Sequence, residues 1–263
     1  MKNYLIEETA TSWNEFLRIV NGNKYSNWAF RGQENADWQL VPSIVRELKN
    51  RKIKHEYWDH QEHRNIWVFQ RKAALFLDKI PAVHDIFEWL AILQHYGAPT
   101  RLLDFTWSPY VAAFFALESS VADAAVWMIN APAIKSQCFR SDTWKDEWVV
   151  SPKEALERFS INENNLVGIG EPFLKNQRQI AQSGTFVIPY QLNKTIDELL
   201  STEENRIAKI TLKGFKIRRE AKKNLYAMNI TQATLFPGLD GLARSLKNEL
   251  EFHYEFDPVD ENL

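Results

Sequence analysis

Between residues 94 and 109 the chain reads Gln-His-Tyr-Gly-Ala-Pro-Thr-Arg-Leu-Leu-Asp-Phe-Thr-Trp-Ser-Pro, which places His95, Thr100, Arg101, Asp104, Thr106 and Ser108 between two strongly apolar segments. A second group lies far upstream in Phe30-Arg31-Gly32-Gln33. An Arg at the end of an apolar strand is costly to bury without an anion, and the Gly after it lets another group approach closely. That anion is a ligand phosphate or, within the chain, Asp37 or Asp104. In the purely structural alternative His95 caps a helix, Arg101 and Asp104 pair with other segments, and Thr100 is a strand former. So many polar groups in one short stretch favour the rim of a site.

The flanking elements follow from local chemistry. Residues 88–93 are helical, with Ile86, Leu90 and Leu93 on one face and Asp85 placed as the N-cap. Gly97 and Pro99 end that helix. Residues 100–105 read as a strand, with Thr100, Leu102 and Asp104 on one face and Arg101, Leu103 and Phe105 on the other. Ser108 and Pro109 then start a helix whose buried stripe is expected at Val111, Ala112, Phe115 and Ala116.

Elsewhere the pattern predicts a helix over 11–20 capped at Thr11 or Ser12, and a strand over 28–33. A helical stretch runs over 46–80, with Ile66, Phe69, Ala73, Phe76, Leu77 and Ile80 inward. Strands follow at 124–130 and 207–212, and 176–189 reads as polar residues, a Gly turn and a strand. A short helix is expected over 153–159 and a closing helix with Leu242, Ala243, Leu246 and Leu250 on one side, Leu239 serving as a staple. The last residues are acidic and expected to fray. His55, His60 and His63 lack a matched carboxylate motif and read as surface histidines rather than metal ligands.

The chain has 263 residues, 45% hydrophobic and 25% charged, which suits one α+β domain with a mixed or antiparallel sheet flanked by helices. A net charge of −2 gives no global basic field, although Lys213, Lys216, Arg218, Arg219, Lys222 and Lys223 form a local one. Most such runs are solvated faces. One Cys allows no internal disulfide, and the lack of an apolar signal or ~20-residue apolar run predicts a soluble, cytoplasmic protein with no membrane partner.

Phe30 to Gln33, residues 94–106 with Ser108-Pro109 and 112–116, residues 178–182 with Gly184 and Phe186, and Thr234 to Pro237 with Leu239-Asp240 together resemble the FRG domain family, named for its Phe-Arg-Gly motif. The resemblance spans about 25–250, so the chain is expected to be a single FRG-type domain over 1–263 with a helical segment at 46–96. Its layout also resembles that of ADP-ribosyltransferases: Arg31-Gly32 would match a first element, Thr100 or Thr106 with the following helix a second. The third element usually brings a Glu. This chain has Arg178, Gln179 and Gln182 there, leaving Glu171, Asp104 or Asp240 as candidate acids.

That resemblance implies an ADP-ribosyltransferase-like fold and a toxin that cleaves NAD, without metal, and transfers ADP-ribose to a macromolecule in a toxin–antitoxin or phage-defence system. It implies Arg31, His95, Thr100 and Asp104 as catalytic residues, and Arg31, Gly32, Gln33, Tyr96, Arg101 and Gln182 as NAD contacts. RNA or single-stranded DNA is the implied acceptor, held by Lys216, Arg218, Arg219 and Lys222, and an antitoxin protein is an implied partner. The competing reading is a binding module that grips a nucleotide or nucleic acid without chemistry. A nucleic-acid hydrolase is disfavoured, because no paired-carboxylate metal motif occurs.

Overall fold

Strand Ala124–Asn130 (β4) is apolar and buried up to its last residue, which makes it the middle of a sheet rather than an edge. In the computed structural model, which describes residues 3–140 and 166–251, β4 is flanked by Trp28–Gln33 (β2) and Ile207–Leu212 (β7), antiparallel to both. Ile6–Ala10 (β1) pairs parallel with β7, while Leu103–Thr106 (β3), Gly184–Pro189 (β6) and Val167–Gly170 (β5) extend the other side antiparallel. The described residues thus form an open mixed sheet of seven strands in the order β1-β7-β4-β2-β3-β6-β5, and the α+β expectation holds.

Period-two alternation divides the sheet into two buried faces. Phe30, Val126, Met128 and Ile210 face helices Trp13–Val20 (α1), Pro109–Leu117 (α5) and Phe215–Ala227, the last numbered below. Ala29, Trp127, Ile129, Phe105 and Val187 form the opposite core with Ile134 of helix Ala131–Arg140. Helices Ser43–Asn50 (α2), Trp58–Ala73 (α3) and Ile86–His95 (α4) lie between β2 and β3 in sequence, α4 packing Trp89 and Leu90 near Phe186 and Ile188. Among the described residues the remaining α-helices are Ala131–Arg140 (α6), Gln177–Ala181 (α7), Ile196–Leu200 (α8), Phe215–Ala227 (α9), Gln232–Leu235 (α10) and Leu239–Glu251 (α11). Among the described residues no helix is long and apolar enough to cross a membrane.

The expected caps form: Ser12, Asp85 and Ser108 accept from the backbone amides of Glu15, Glu88 and Val111. Gly97 turns left-handed at φ 81° to end α4. Several expectations are corrected. The stretch 46–80 is two helices, broken where Lys52 adopts φ 55°, and α3 stops at Ala73. Phe76 and Ile80 therefore lie beyond its end, 82% and 55% exposed, and Pro81 disfavours helix at Ile80. On α5, Phe114 and Leu117 are buried and Phe115 is partly exposed, because the helix packs both on the sheet and against α9. On α11, among the residues whose burial is described, Gly241 and Ser245 are buried, Gly241 seated so close on Phe236 that a β-carbon there would collide with it; Leu239, Leu242, Ala243 and Leu246 face outward and Leu239 is no staple. The expected helix at 153–159, the acidic terminus and the Leu250 side chain lie outside the described residues.

Candidate functional site

A cavity of about 840 Å³ opens where β2 and β3 meet α2, α5, α7 and the loop after β2. This is within the range of small-molecule sites. Its wall carries the cations Arg31, Arg46, Lys49 and Arg178 against the carboxylates Glu34, Asp37 and Asp104, and Trp38, Phe30 and Phe115 supply apolar surface.

Arg31 is delivered by β2, where it sits opposite Trp127 of β4. Its Nη1 donates to the backbone carbonyl of Asp104 at 2.7 Å, and its Nε is buried with no hydrogen-bond partner. Burial pushes its pKa below the ordinary Arg value; the negative charge of Asp104 opposes that and the nearby Arg46 cation adds to it. A partly buried cation whose Nε is buried and unused, beside a like charge, is electrostatically incomplete, and an anion entering the cavity would complete it. Arg46 donates to the Val41 carbonyl at 2.7 Å, and the Arg178 guanidinium lies over the Phe236 ring at 4.5 Å, so both cations are held in place.

Asp104 projects from β3 as the exposed member of an otherwise buried strand. Its Oδ2 accepts from Gln94 Nε2 at 2.9 Å, and Gln94 Oε1 accepts from the Thr100 hydroxyl at 2.6 Å. Thr106, also in the wall, donates to the Gln182 carbonyl at 2.7 Å and accepts from the Ser108 amide, tying the end of β3 to the start of α5 and to the turn before β6.

The other sequence-derived residues divide sharply. Gln33 and Gln182 line the cavity but are already engaged: Gln33 accepts from Trp127 Nε1 at 2.7 Å, and Gln182 donates to the Leu235 carbonyl at 3.0 Å. Gly32 has a packing role, since a β-carbon there would run into the backbone of Ala112 and Ala116 on α5. Thr100 is fully buried and Arg101 is 2% exposed, and neither lines the cavity. Arg101 instead donates to Glu62 at 2.6 Å, to Asp59 at 3.1 Å and to the Tyr190 carbonyl at 3.2 Å. The strand expected over 100–105 therefore begins only at Leu103, because Thr100 and Arg101 are held by Ser43 and Glu62 instead of a neighbouring strand.

His95 and Tyr96 are exposed, edge to face at 4.9 Å, and lie outside the cavity lining. Partial burial and the Arg178 charge hold the His95 imidazole below its ordinary pKa. Glu171 accepts from Trp107 Nε1 at 2.6 Å and pairs with Lys175; burial pushes its carboxyl up, but these hydrogen bonds and cations outweigh burial and hold it low. Asp240 is exposed at the start of α11 and, like Glu171, does not line the cavity.

On α9, Lys216 and Arg219 are exposed, Arg218 donates to the Ala122 carbonyl at 2.9 Å, and Lys222 is half-buried; none lines the cavity. Among the described residues no three His, Cys, Asp or Glu side chains gather as a metal site. Sequence reasoning missed Trp38, Arg46, Lys49 and the role of Gln94. Only the i, i+3 spacing of Arg46 and Lys49 on one helical face hinted at any of them.

Residues 26–125 match the FRG domain, a span that runs from just before β2 into the start of β4 and so contains Arg31, Arg46, Gln94 and Asp104. Residues 178–186 and 234–240, which also resembled the family, lie beyond the matched span. No curated protein and no solved structure matches the chain.

Proposed function

We propose that the cavity binds NAD and that the protein is an ADP-ribosyltransferase. The observation that carries this reading is Arg31, a partly buried cation with a buried, unused Nε donor, set on one wall with Arg46 nearby and the Asp104 carboxylate on the adjacent strand. Arg31 and Arg46 would bind the pyrophosphate, Lys49 and Arg178 would add to the field that draws it in, and Trp38 would stack on a base.

Cleavage breaks the bond between ribose C1′ and the nicotinamide nitrogen, and nicotinamide leaves neutral with the electron pair. Positive charge then spreads over C1′ and the ring oxygen, where Asp104 would stabilise it. An acceptor nucleophile forms the new bond to C1′ and gives up its proton. The acceptor proposed is a macromolecule such as RNA, for which the exposed α9 cations are the candidate contact, and a toxin or phage-defence role would follow from modifying it.

The test is incubation with labelled NAD and cell lysate, together with calorimetry on the isolated protein. Wild type should release nicotinamide and transfer label, Arg31→Ala should lose NAD binding, and Asp104→Asn should bind NAD but turn over slowly. Binding without nicotinamide release would instead support the second reading, a nucleotide-binding module, which the already satisfied Gln33 and Gln182 side chains favour. Absence of NAD binding by wild type would remove the transferase reading, and absence of binding to other nucleotides and to RNA as well would remove the second.

A further inference from the structure

We infer that Gln94 is a positioning residue that holds the Asp104 carboxylate off Arg31 and presents it to the ligand, and that the buried Thr100 sets the orientation of Gln94. This deepens the NAD reading above and rests on it for the identity of the ligand.

Thr100 Oγ1 already accepts from the Leu102 amide at 3.2 Å, and its own proton is directed to Gln94 Oε1 at 2.6 Å. The other end of the Gln94 amide, Nε2, is thereby turned to Asp104 Oδ2 at 2.9 Å. The flipped amide would set Oε1 against Oδ2, two acceptors facing each other unless the carboxyl carried a proton. Thr100 has little freedom to move: its amide donates to Ser43 Oγ at 3.0 Å, and its carbonyl accepts from the Ser43 hydroxyl and the Ile44 amide, both at 3.1 Å. Ser43 opens α2, the helix that carries Arg46 and Lys49 into the cavity.

One consequence concerns Arg31. Its guanidinium bonds the backbone carbonyl of Asp104, not the carboxylate, although the carboxylate belongs to the same residue. With Oδ2 occupied by Gln94, the Arg31 cation stays available to a phosphate. No described residue donates to Oδ1, which leaves that oxygen for a ribose hydroxyl or the developing charge at C1′. Without Gln94 the carboxylate would swing to the neighbouring guanidinium and both groups would be lost to the ligand.

Gln94→Leu and Thr100→Val remove the relay at its middle and at its buried end, and Thr100→Ser restores it. The expected result is an NAD affinity and a turnover each about tenfold lower in Gln94→Leu and in Thr100→Val, with near wild-type values in Thr100→Ser; a hydrogen bond to a charged group supports a loss of that order. In the free protein, the Gln94 side-chain amide resonances should shift in Thr100→Val and in Asp104→Asn and stay put in Thr100→Ser. Circular dichroism and thermal melts establish that each variant is folded. Unchanged NAD affinity in folded Gln94→Leu, or unmoved Gln94 resonances in both Thr100→Val and Asp104→Asn, would overturn the inference. Wild type that binds no NAD would overturn the functional reading and the ligand role given to Asp104, a result distinct from loss of the relay signal.

Discussion

Gly32 lies so close against α5 that a β-carbon on it would overlap the carbonyl oxygen of Ala112 and sit 2.5 Å from the amide nitrogen of Ala116. The glycine after Arg31, which also lines the cavity, therefore admits a helix backbone, and the contact fixes α5 against β2. Gly32→Ala should destabilise the protein by about 3 kcal/mol or more, because both colliding partners are backbone and cannot rotate away. Chemical denaturation measures this; a variant with wild-type stability would show that α5 can shift freely.

Arg101 and Glu62 form a buried pair, each with a side chain 3% exposed, and Glu62 also accepts the Arg101 backbone amide at 3.1 Å. Removing one partner strands the other in the interior. Arg101→Leu or Glu62→Leu alone should cost about 3–5 kcal/mol, and the double substitution should recover much of that loss, since paired apolar replacements avoid the uncompensated charge. Asp59, whose side chain is 51% exposed, should matter far less when changed to Asn. Equal destabilisation by the double and single variants would contradict this account.

Where an element depends on its own few residues, the sequence was readable. Asp85 and Ser108 mark helix starts because the cap is a bond to an amide three residues on, and β4 is recognisable because every side chain but the last is apolar and buried. Of the site, Arg31 and Asp104 were legible as polar groups set in apolar strands. Arg101 was misleading for the same reason, since its partner Glu62 is 39 residues away on α3 and no local pattern announces it. Arg46 and Lys49 reach the cavity only because Ser43 clamps α2 to Thr100, a pairing across 57 residues. The edge strand β1, with exposed positions alternating through Ile-Glu-Glu-Thr-Ala, exists through its parallel pairing with β7.

His95 provides a pH test. Burial first and the Arg178 charge second lower its pKa from 6.5. The unfolded chain therefore binds a proton more readily than the folded one between 6.5 and the lowered folded value, and stability gained by keeping the ring neutral is lost as pH falls through that window. An NMR titration should place the His95 midpoint below 6.5, and Arg178→Gln should raise it only part of the way, because burial is the larger cause. A midpoint that returns fully in Arg178→Gln would reverse that ranking.

Trp38 is 53% exposed although it lines the cavity, and its loop is held by the Ala36 amide on the Asp123 carbonyl at 2.8 Å and the Asp37 amide on Asn35 Oδ1 at 2.8 Å. A large ring kept in water beside several cations suits stacking on a base, an interaction of about 1–3 kcal/mol. Trp38→Ala should leave the melting temperature nearly unchanged and weaken NAD binding by roughly tenfold, whereas Trp38→Phe should keep most of the affinity. Calorimetry with NAD and with ADP-ribose separates the two rings. Equal losses for both ligands place adenine on Trp38, a loss for NAD alone places nicotinamide there, and no loss for either removes the stacking role.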